Sequence, residues 1–546
     1  MIAAIINNLK IDLLKIVKEM GVEEAVEVIF DVPKDAGHGD YATNLAMRLA
    51  KPLRKSPVAV AQDIKKRLDL KHHHLEKVEV AGPGFINFYL DEVYLAQIIP
   101  LINEKGSDYG KLDIGDEAIN LEFVSANPTG YLHIGHGRGA AYGDSLARIM
   151  RKAGFNVSCE HYVNDAGNQI NNLAYSIYER YKECCGLPSE MKEGYYFGKE
   201  IITIAKNIYA SDHDAWLHKE WYQAFRYKGV EVLLNGLKTD LATFNVHFDT
   251  WFSEQSLYDQ NLVKSTLDSL IKNGHTYESE GAVWLKSSQF GDEKDRVLVK
   301  SDGTLTYITP DIAYHVNKFN RGFDHLIDVL GADHHGYIGR LRAALAMMGK
   351  NPDKIDIEIL QMVRIIQNGE ELKMSKRSGK AITLRDLIDE VGVDALRFFY
   401  VSKALSSHMD LDLDLAIKQS NDNPVYYVQY AYARIASLFR MIQEQNRIFT
   451  PKTEFNALDL QKVSPIIRQL LQYPEVIKEA ATKRIPHRVA SYALQLATVL
   501  HSFYNDEKII TDDLEETNEK LSVMMAVQIV LKDSLNLIGV GVKEKM

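Results

Sequence analysis

Two histidines three residues apart, His133 and His136, stand in Leu121–Arg138, where an apolar run passes into a helical one. In the first turn of a helix such a pair can face a phosphate as hydrogen-bond donors. Gly135 between them removes the Cβ that would keep a flat base off the backbone. Far downstream, Gly369 and Gly379 flank Lys373, Lys376 and Arg377, with Lys380 next after Gly379. A cationic loop bounded by glycines can close over a triphosphate and meet charge developing on departing pyrophosphate. Each feature alone is ordinary, because histidine pairs are often surface residues and basic loops are often just solvated. Together, in this order, they point to chemistry on a nucleotide.

The elements that must position these groups can be read from periodicity. Ala118–Val124 has the short β-rich character of a buried parallel strand. His136–Lys152 sets Ala140, Leu146, Ile149 and Met150 on one helical face, Gly154 ends the helix, and Phe155–Val163 follows as a second strand. Strand, helix, strand is the unit whose ligands lie beyond the carboxyl end of the strand. Between Asn168 and Asn273 the pattern is mainly helical, read as an insertion beside the sheet, with Trp216, Trp221 and Trp251 as core. Strands return at Ala282–Lys286 and in a hairpin, Arg296–Lys300 with Leu305–Ile308, turning at Ser301-Asp302-Gly303. Tyr307 to Asp311 opens a helix, with Asp311 favourable at its positive end. Leu326–Leu330 is a buried strand running into Gly331-Ala332-Asp333-His334-His335-Gly336. A helix follows over Tyr337–Met348, and Ile355–Ile366 is a strand delivering the chain to the lysine loop.

Ahead of this core, Met1–Met20 is an amphipathic helix, Val26–Val32 a strand, Asp40–Leu53 leads into a helix, and Ser56-Pro57 opens another. Val78–Val80 and Phe85–Leu90 pair across Gly82-Pro83-Gly84. Arg48, Lys51, Arg54, Lys55, Lys65, Lys66, Arg67 and Lys71 make this part locally basic, with His72, His73 and His74 beside them. Beyond Thr383 the pattern is helical to the end, with breaks at Pro451, Pro474 and Pro486, and a bundle is its natural product.

At 546 residues, about three domains are expected. The net charge of −10 argues against indiscriminate nucleic-acid binding, yet a local basic face can still grip a backbone. Cys159, Cys184 and Cys185 cannot frame a disulfide scaffold and lack Cys-x-x-Cys spacing, so no structural metal is expected. No run approaches a membrane span and Met1–Lys10 lacks a secretory pattern, so the expectation is a cytoplasmic enzyme.

His133-Ile134-Gly135-His136, preceded by Asn127-Pro128-Thr129-Gly130, resembles the first signature of class I aminoacyl-tRNA synthetases. Lys373-Met374-Ser375-Lys376-Arg377 resembles their second, with Arg377 where many members have serine. His38-Gly39-Asp40-Tyr41-Ala42-Thr43-Asn44 resembles the N-terminal additional domain of arginyl-tRNA synthetases. Val393–Tyr400 resembles the close of their catalytic domain, and Asn423–Ile435 the opening of their anticodon-binding domain.

The resemblance implies an additional domain over 1–100, a Rossmann-like doubly wound catalytic domain over 101–405 with a helical insertion near 168–275, and an all-α anticodon-binding domain over 406–546. It implies activation of L-arginine by ATP, accompanied by Mg²⁺, and transfer to the 3′ end of arginine tRNA by a monomer that activates only with tRNA bound. Gly130, His133, Gly135, His136, Lys373, Met374, Ser375 and Lys376 would hold ATP. Glu122, Ser125, Asn127, His136, Tyr307, Asp311, Asp333 and His334 would hold arginine. Arg48 and Lys51 would touch the tRNA elbow, and Tyr430 and Arg434 the anticodon end. A cysteinyl enzyme is opposed by the absent zinc-binding cysteine cluster, and a silent tRNA-binding paralogue by intact His133, His136 and Lys376.

Overall fold

Ile119, Leu121, Val157, Cys159, Leu326 and Ile327 are enclosed, as strands covered on both faces require. The computed structural model describes residues 2–33, 35–372 and 382–546. In it these side chains belong to an all-parallel sheet of five strands: β1 (Ala118–Glu122), β2 (Asn156–Val163), β3 (Thr250–Ser253), β4 (His325–Gly331) and β5 (Ile355–Leu360). Their spatial order is β5-β4-β1-β2-β3. The chain builds outward from β1 to β3, then returns to the other side of β1 with β4 and β5. The order therefore reverses between β1 and β4, and a doubly wound sheet opens its ligand crevice at the carboxyl ends of two such strands.

Helix α1 (Ile134–Lys152) lies on one face so closely that a Cβ on Gly143 would collide with the Phe123 ring. Only glycine permits that approach. Helix α2 (Ile308–Asn320) lies on the other face, toward Glu122.

Several expectations need correction. Val26–Val32 forms no strand; a single bridge joins Asp31 to Ala42, while the carbonyls of Glu27 and Ile29 accept from Arg48 Nη1 at 2.6 Å and Thr43 Oγ1 at 2.7 Å, so side chains do the work of a ladder. The stretch read as a helical insertion includes β3, the edge strand of the main sheet. Leu305 makes only a bridge to Val299 before α2 begins. Ile355–Ile366 is two strands: after β5, Val363–Gln367 enters a separate small sheet between Glu370–Glu371 and Met409–Asp412. That last strand interrupts the helical run expected beyond Thr383.

The helices Pro424–Glu444, Leu460–Thr482, His487–Asp506 and Leu514–Leu537 pack together at the C-terminal end. Pro474 does not break the second of them, against expectation. A proline leaves the carbonyl four residues earlier without its helical donor. Here that carbonyl, of Leu470, accepts from the Tyr109 hydroxyl at 2.7 Å. The N-terminal part also leans on this bundle, since Arg468 pairs with Asp40 at 2.8 Å and Glu92 at 2.7 Å, and Ser464 donates to Glu92 at 2.9 Å. Among the described residues no helix is long and apolar enough to cross a membrane.

Candidate active site

Immediately beyond β1 the backbone is forced into an unusual shape. Val124 has φ +69° and Ser125 φ +40°, and Ser125 N donates to Phe123 O at 2.9 Å across Val124, which makes a tight three-residue turn. A β-branched residue at positive φ costs on the order of 1–3 kcal/mol and persists only where its surroundings impose it. The turn carries Ser125 Oγ back onto Glu122 Oε1 at 2.8 Å, and the same oxygen accepts from Tyr162 N at 3.1 Å. Ser125 thereby anchors the loop and steadies the Glu122 carboxylate.

The two histidines cap α1 in reciprocal fashion. His133 Nδ1 accepts from Gly135 N at 3.1 Å, and His136 Nδ1 accepts from His133 N at 3.2 Å, with the rings stacked 3.7 Å apart. With Nδ1 accepting, each ring carries its hydrogen on Nε2. Burial, with smaller contributions from His133 and His161, pushes the His136 pKa down to about 3. His136 therefore serves as a neutral donor at physiological pH. A Cβ on Gly135 would stand 3.1 Å from the His133 ring, so glycine is what lets that ring fold over the helix start.

Beneath the crevice lies a row of acids that the parallel register creates. Asp328 on β4 is opposite Glu122 on β1, and Glu122 is opposite Glu160 on β2. All three are buried. Helix α2 lies over them. The Tyr314 hydroxyl lies 2.8 Å from Glu122 Oε2 and 2.7 Å from Glu160 Oε1, sharing its one hydrogen between them. Lys318 Nζ donates to Glu122 Oε2 at 2.5 Å and Asp328 Oδ1 at 2.8 Å. His315 Nε2 meets Asp328 Oδ2 at 2.7 Å, and its Nδ1 lies 2.8 Å from the carbonyl of Asp311 and 3.2 Å from its Oδ1. Just past the helix, Arg321 grips Glu160 with two bonds of 2.6 and 2.7 Å.

The protonation states follow from these contacts. Burial opposes charge on His315, but Asp311 and Asp328 outweigh it and lift its pKa to about 10. Burial likewise opposes charge on Lys318, and Asp328, Glu122 and Glu160 reverse that effect. Burial would raise Asp328, yet Lys318 and His315 hold it below the usual carboxylate range. Glu122 is raised by burial, partly offset by Lys318. Glu122, His315 and Asp328 converge within 4.8 Å, as metal ligands do, but the Lys318 ammonium already bridges the two carboxylates.

With Asp311 counted, four carboxylates face three cations: His315, Lys318 and Arg321. The most accessible of the four is Asp311, whose side chain is 26% exposed; the Tyr337 hydroxyl also donates to it. Beside it Glu254 is raised to about 7 by burial and by the nearby carboxylates Asp165 and Asp311, against a lowering bond from Tyr162.

The remaining expected residues fall as follows. Asn127 is exposed on the loop after the turn, and Gly130 lies where a Cβ would be 3.5 Å from Glu200. Tyr307 stands at the N-terminal end of α2, where its side chain makes no cap bond, and is 80% exposed. Ala332–Tyr337 is a 3₁₀ turn leaving β4 for the crevice, while the side chains of Asp333 and His334 lie outside what is described. Lys373, Met374, Ser375 and Lys376 also lie outside the described residues. Arg48 and Lys51 are exposed on the helix Leu45–Leu53. Tyr430 and Arg434 are half-buried in the bundle, Arg434 bonding His501 at 3.0 Å and stacking 3.8 Å over Tyr504. Sequence reasoning missed Glu160, Glu254, Tyr314, His315, Lys318, Arg321 and Asp328. The only trace they leave is the three-residue spacing of His315, Lys318 and Arg321.

Comparison with known proteins bears on this site as a whole. A family model described as the class I tRNA synthetase (R) catalytic domain matches residues 100–399. Models of the arginyl tRNA synthetase N-terminal domain and the DALR anticodon-binding domain match 5–90 and 428–546. The arginine–tRNA ligase of Bacillus subtilis is 49% identical over 524 residues, covering 95% of this chain and 94% of its own. That of Halalkalibacterium halodurans is 48% identical over 529 residues, covering 96% and 95%. Among solved structures, a Campylobacter jejuni protein described as an arginyl tRNA synthetase superposes with a TM-score of 0.78 at 34% identity, covering 84% of this chain and all of that one. The Thermus thermophilus arginyl-tRNA synthetase, at 23% identity, shares the fold with a TM-score of 0.72 over 99% of this chain and all of that one. With its three parts matched in order and its length covered by close relatives, the chain belongs to the class I arginyl-tRNA synthetase family.

Proposed function

We propose that the crevice above β1 and β4 performs the two steps of an arginine–tRNA ligase, with Glu122, Tyr307 and Asp311 reading the arginine side chain and the two histidines serving ATP. Charging tRNA with arginine is the activity of the family. The observation that carries the residue assignment is the Asp311 carboxylate, the most accessible of the four and adjoining Glu254, whose carboxyl is raised to about 7 and whose proton a bound cation would release. A guanidinium is permanently charged and rich in donors, so carboxylates in a fixed fork suit it.

In this reading the arginine carboxylate attacks the α-phosphorus in line and pyrophosphate leaves. The Nε2 hydrogens of His133 and His136 meet the α-phosphate oxygens, His136 as a neutral donor that adds a hydrogen bond without fixing another charge. Asn127, Asp333 and His334 would hold the amino-acid end, while Ser125 acts through Glu122. Gly130 and Gly135 leave room for the nucleotide. Lys373, Met374, Ser375 and Lys376 would close over the phosphates, and Mg²⁺ would accompany ATP as part of that substrate. The terminal ribose hydroxyl of tRNA then takes the arginyl group and AMP departs.

The proposal includes the divisions 1–100, 101–405 and 406–546, tRNA contact through Arg48, Lys51, Tyr430 and Arg434, and a cytoplasmic monomer. ATP–pyrophosphate exchange measured over all amino acids, with and without arginine tRNA, tests it. Exchange with arginine alone, and only when tRNA is present, is the expected result; exchange driven by another amino acid overturns it.

A further inference from the structure

Asp328 is buried beneath the crevice and is linked, through Lys318 and through His315, to both carboxylates assigned to the guanidinium. Its Oδ1 accepts from Lys318, which spans 2.8 Å to Asp328 and 2.5 Å to Glu122. Its Oδ2 accepts from His315 at 2.7 Å, whose other nitrogen holds Asp311 at both its carbonyl and its carboxylate. Two branches therefore leave one buried side chain, each a cation and each ending on a recognition carboxylate. The placement is forced by the fold: register puts Asp328 beside Glu122 on the sheet, and helical spacing puts Asp311, His315 and Lys318 on one face of α2.

We propose that Asp328 is the positioning residue that sets the arginine fork, fixing the separation and charge of Glu122 and Asp311 through Lys318 and His315. The assignment rests on those two carboxylates reading arginine. Without Asp328 the fully buried Lys318 ammonium loses one of its two carboxylate partners and is drawn onto Glu122 alone. That would change the position and charge balance of Glu122, the acid assigned to the guanidinium. His315 would lose the partner that, with Asp311, keeps its ring charged at neutral pH, and the ring that holds Asp311 would lose its anchor on the sheet. Removing one partner from a buried ionic network leaves the other charges uncompensated, so the effect reaches both branches.

The test is steady-state pyrophosphate exchange with tRNA present, comparing the full-length wild type with Asp328→Asn, His315→Gln, Asp311→Asn and Asp328→Glu. Asp328→Asn keeps the shape and removes the charge. It should raise the arginine KM by on the order of 30-fold, with kcat at saturating arginine and the ATP KM near wild type. His315→Gln cuts only the Asp311 branch and should raise the arginine KM by on the order of 10-fold. Asp328→Glu should restore part of the loss. An arginine KM unchanged in Asp328→Asn and His315→Gln, alongside a large rise in Asp311→Asn, overturns the proposal and leaves the arginine site standing. If Asp311→Asn is silent as well, the arginine site itself is wrong. Should Asp328→Asn not fold, His315→Gln decides, because it leaves the Lys318 branch intact.

Discussion

Glu254 ties the charge of the site to pH. Buried beside Asp165 and Asp311, its carboxyl is raised from an ordinary 4.5 to about 7. A carboxyl raised by folding favours the folded state fully below pH 4.5 and loses that contribution as pH climbs through 7. A bound guanidinium has the opposite preference, since it stabilises the ionised form, so arginine binding should expel a proton below neutrality. The arginine KM is therefore expected to fall as pH rises from about 6 to 8, and Glu254→Gln should flatten that profile. A pH-independent arginine KM in the wild type would contradict this. His133 and His136 could be proposed from a short local pattern, and Tyr307 and Asp311 from the family resemblance. Glu160, Lys318 and Asp328 could not, because their partners are defined only once three strands align in register, and one sequence does not print that register.

Among the elements, the helix Leu460–Thr482 makes the clearest prediction. It runs through Pro474 because Tyr109, far away in sequence, takes the orphaned Leu470 carbonyl. Tyr109→Phe keeps the ring and removes the donor. It should cost about 1–3 kcal/mol, read as a lower Tm, with the arginine and ATP KM values unaltered. An unchanged Tm would mean that the carbonyl has found another donor. The same case shows where periodicity misleads, for a proline reads as a break whenever its compensating group is distant. Long apolar runs such as those of β1, β2 and α1 were placed correctly from the sequence. Four-residue β3 was absorbed into its helical neighbours because so short an edge strand has no periodicity of its own. Val26–Val32 failed for the converse reason, since its strand-like residues bond to side chains instead of a neighbouring strand.

Across the whole molecule, the N-terminal part is bound to the C-terminal bundle through Arg468, Asp40, Glu92 and Ser464, so deleting the first hundred residues would uncover buried surface there. Point changes test the tRNA interaction more cleanly. Arg48→Ala with Lys51→Ala should raise the tRNA KM and reduce the slope of log K against log salt by about 1 for each phosphate no longer neutralised. The arginine KM should not move, and an unchanged salt slope would remove this face from the RNA path. The order of the three parts was readable because each carries its own stretch of matching residues, whereas the packing between them depends on ion pairs hundreds of residues apart. On the proposed reading, the accessible negative charge of the crevice selects arginine. The most direct measurement of this is the exchange kinetics and Tm of Asp311→Asn, which keeps the helix-opening shape and deletes the charge. The prediction is a loss of about 2–4 kcal/mol in kcat/KM for arginine with the Tm retained. Near-normal arginine kinetics with a lowered Tm would mean that Asp311 only stabilises its helix, and would contradict a charge-selected arginine site.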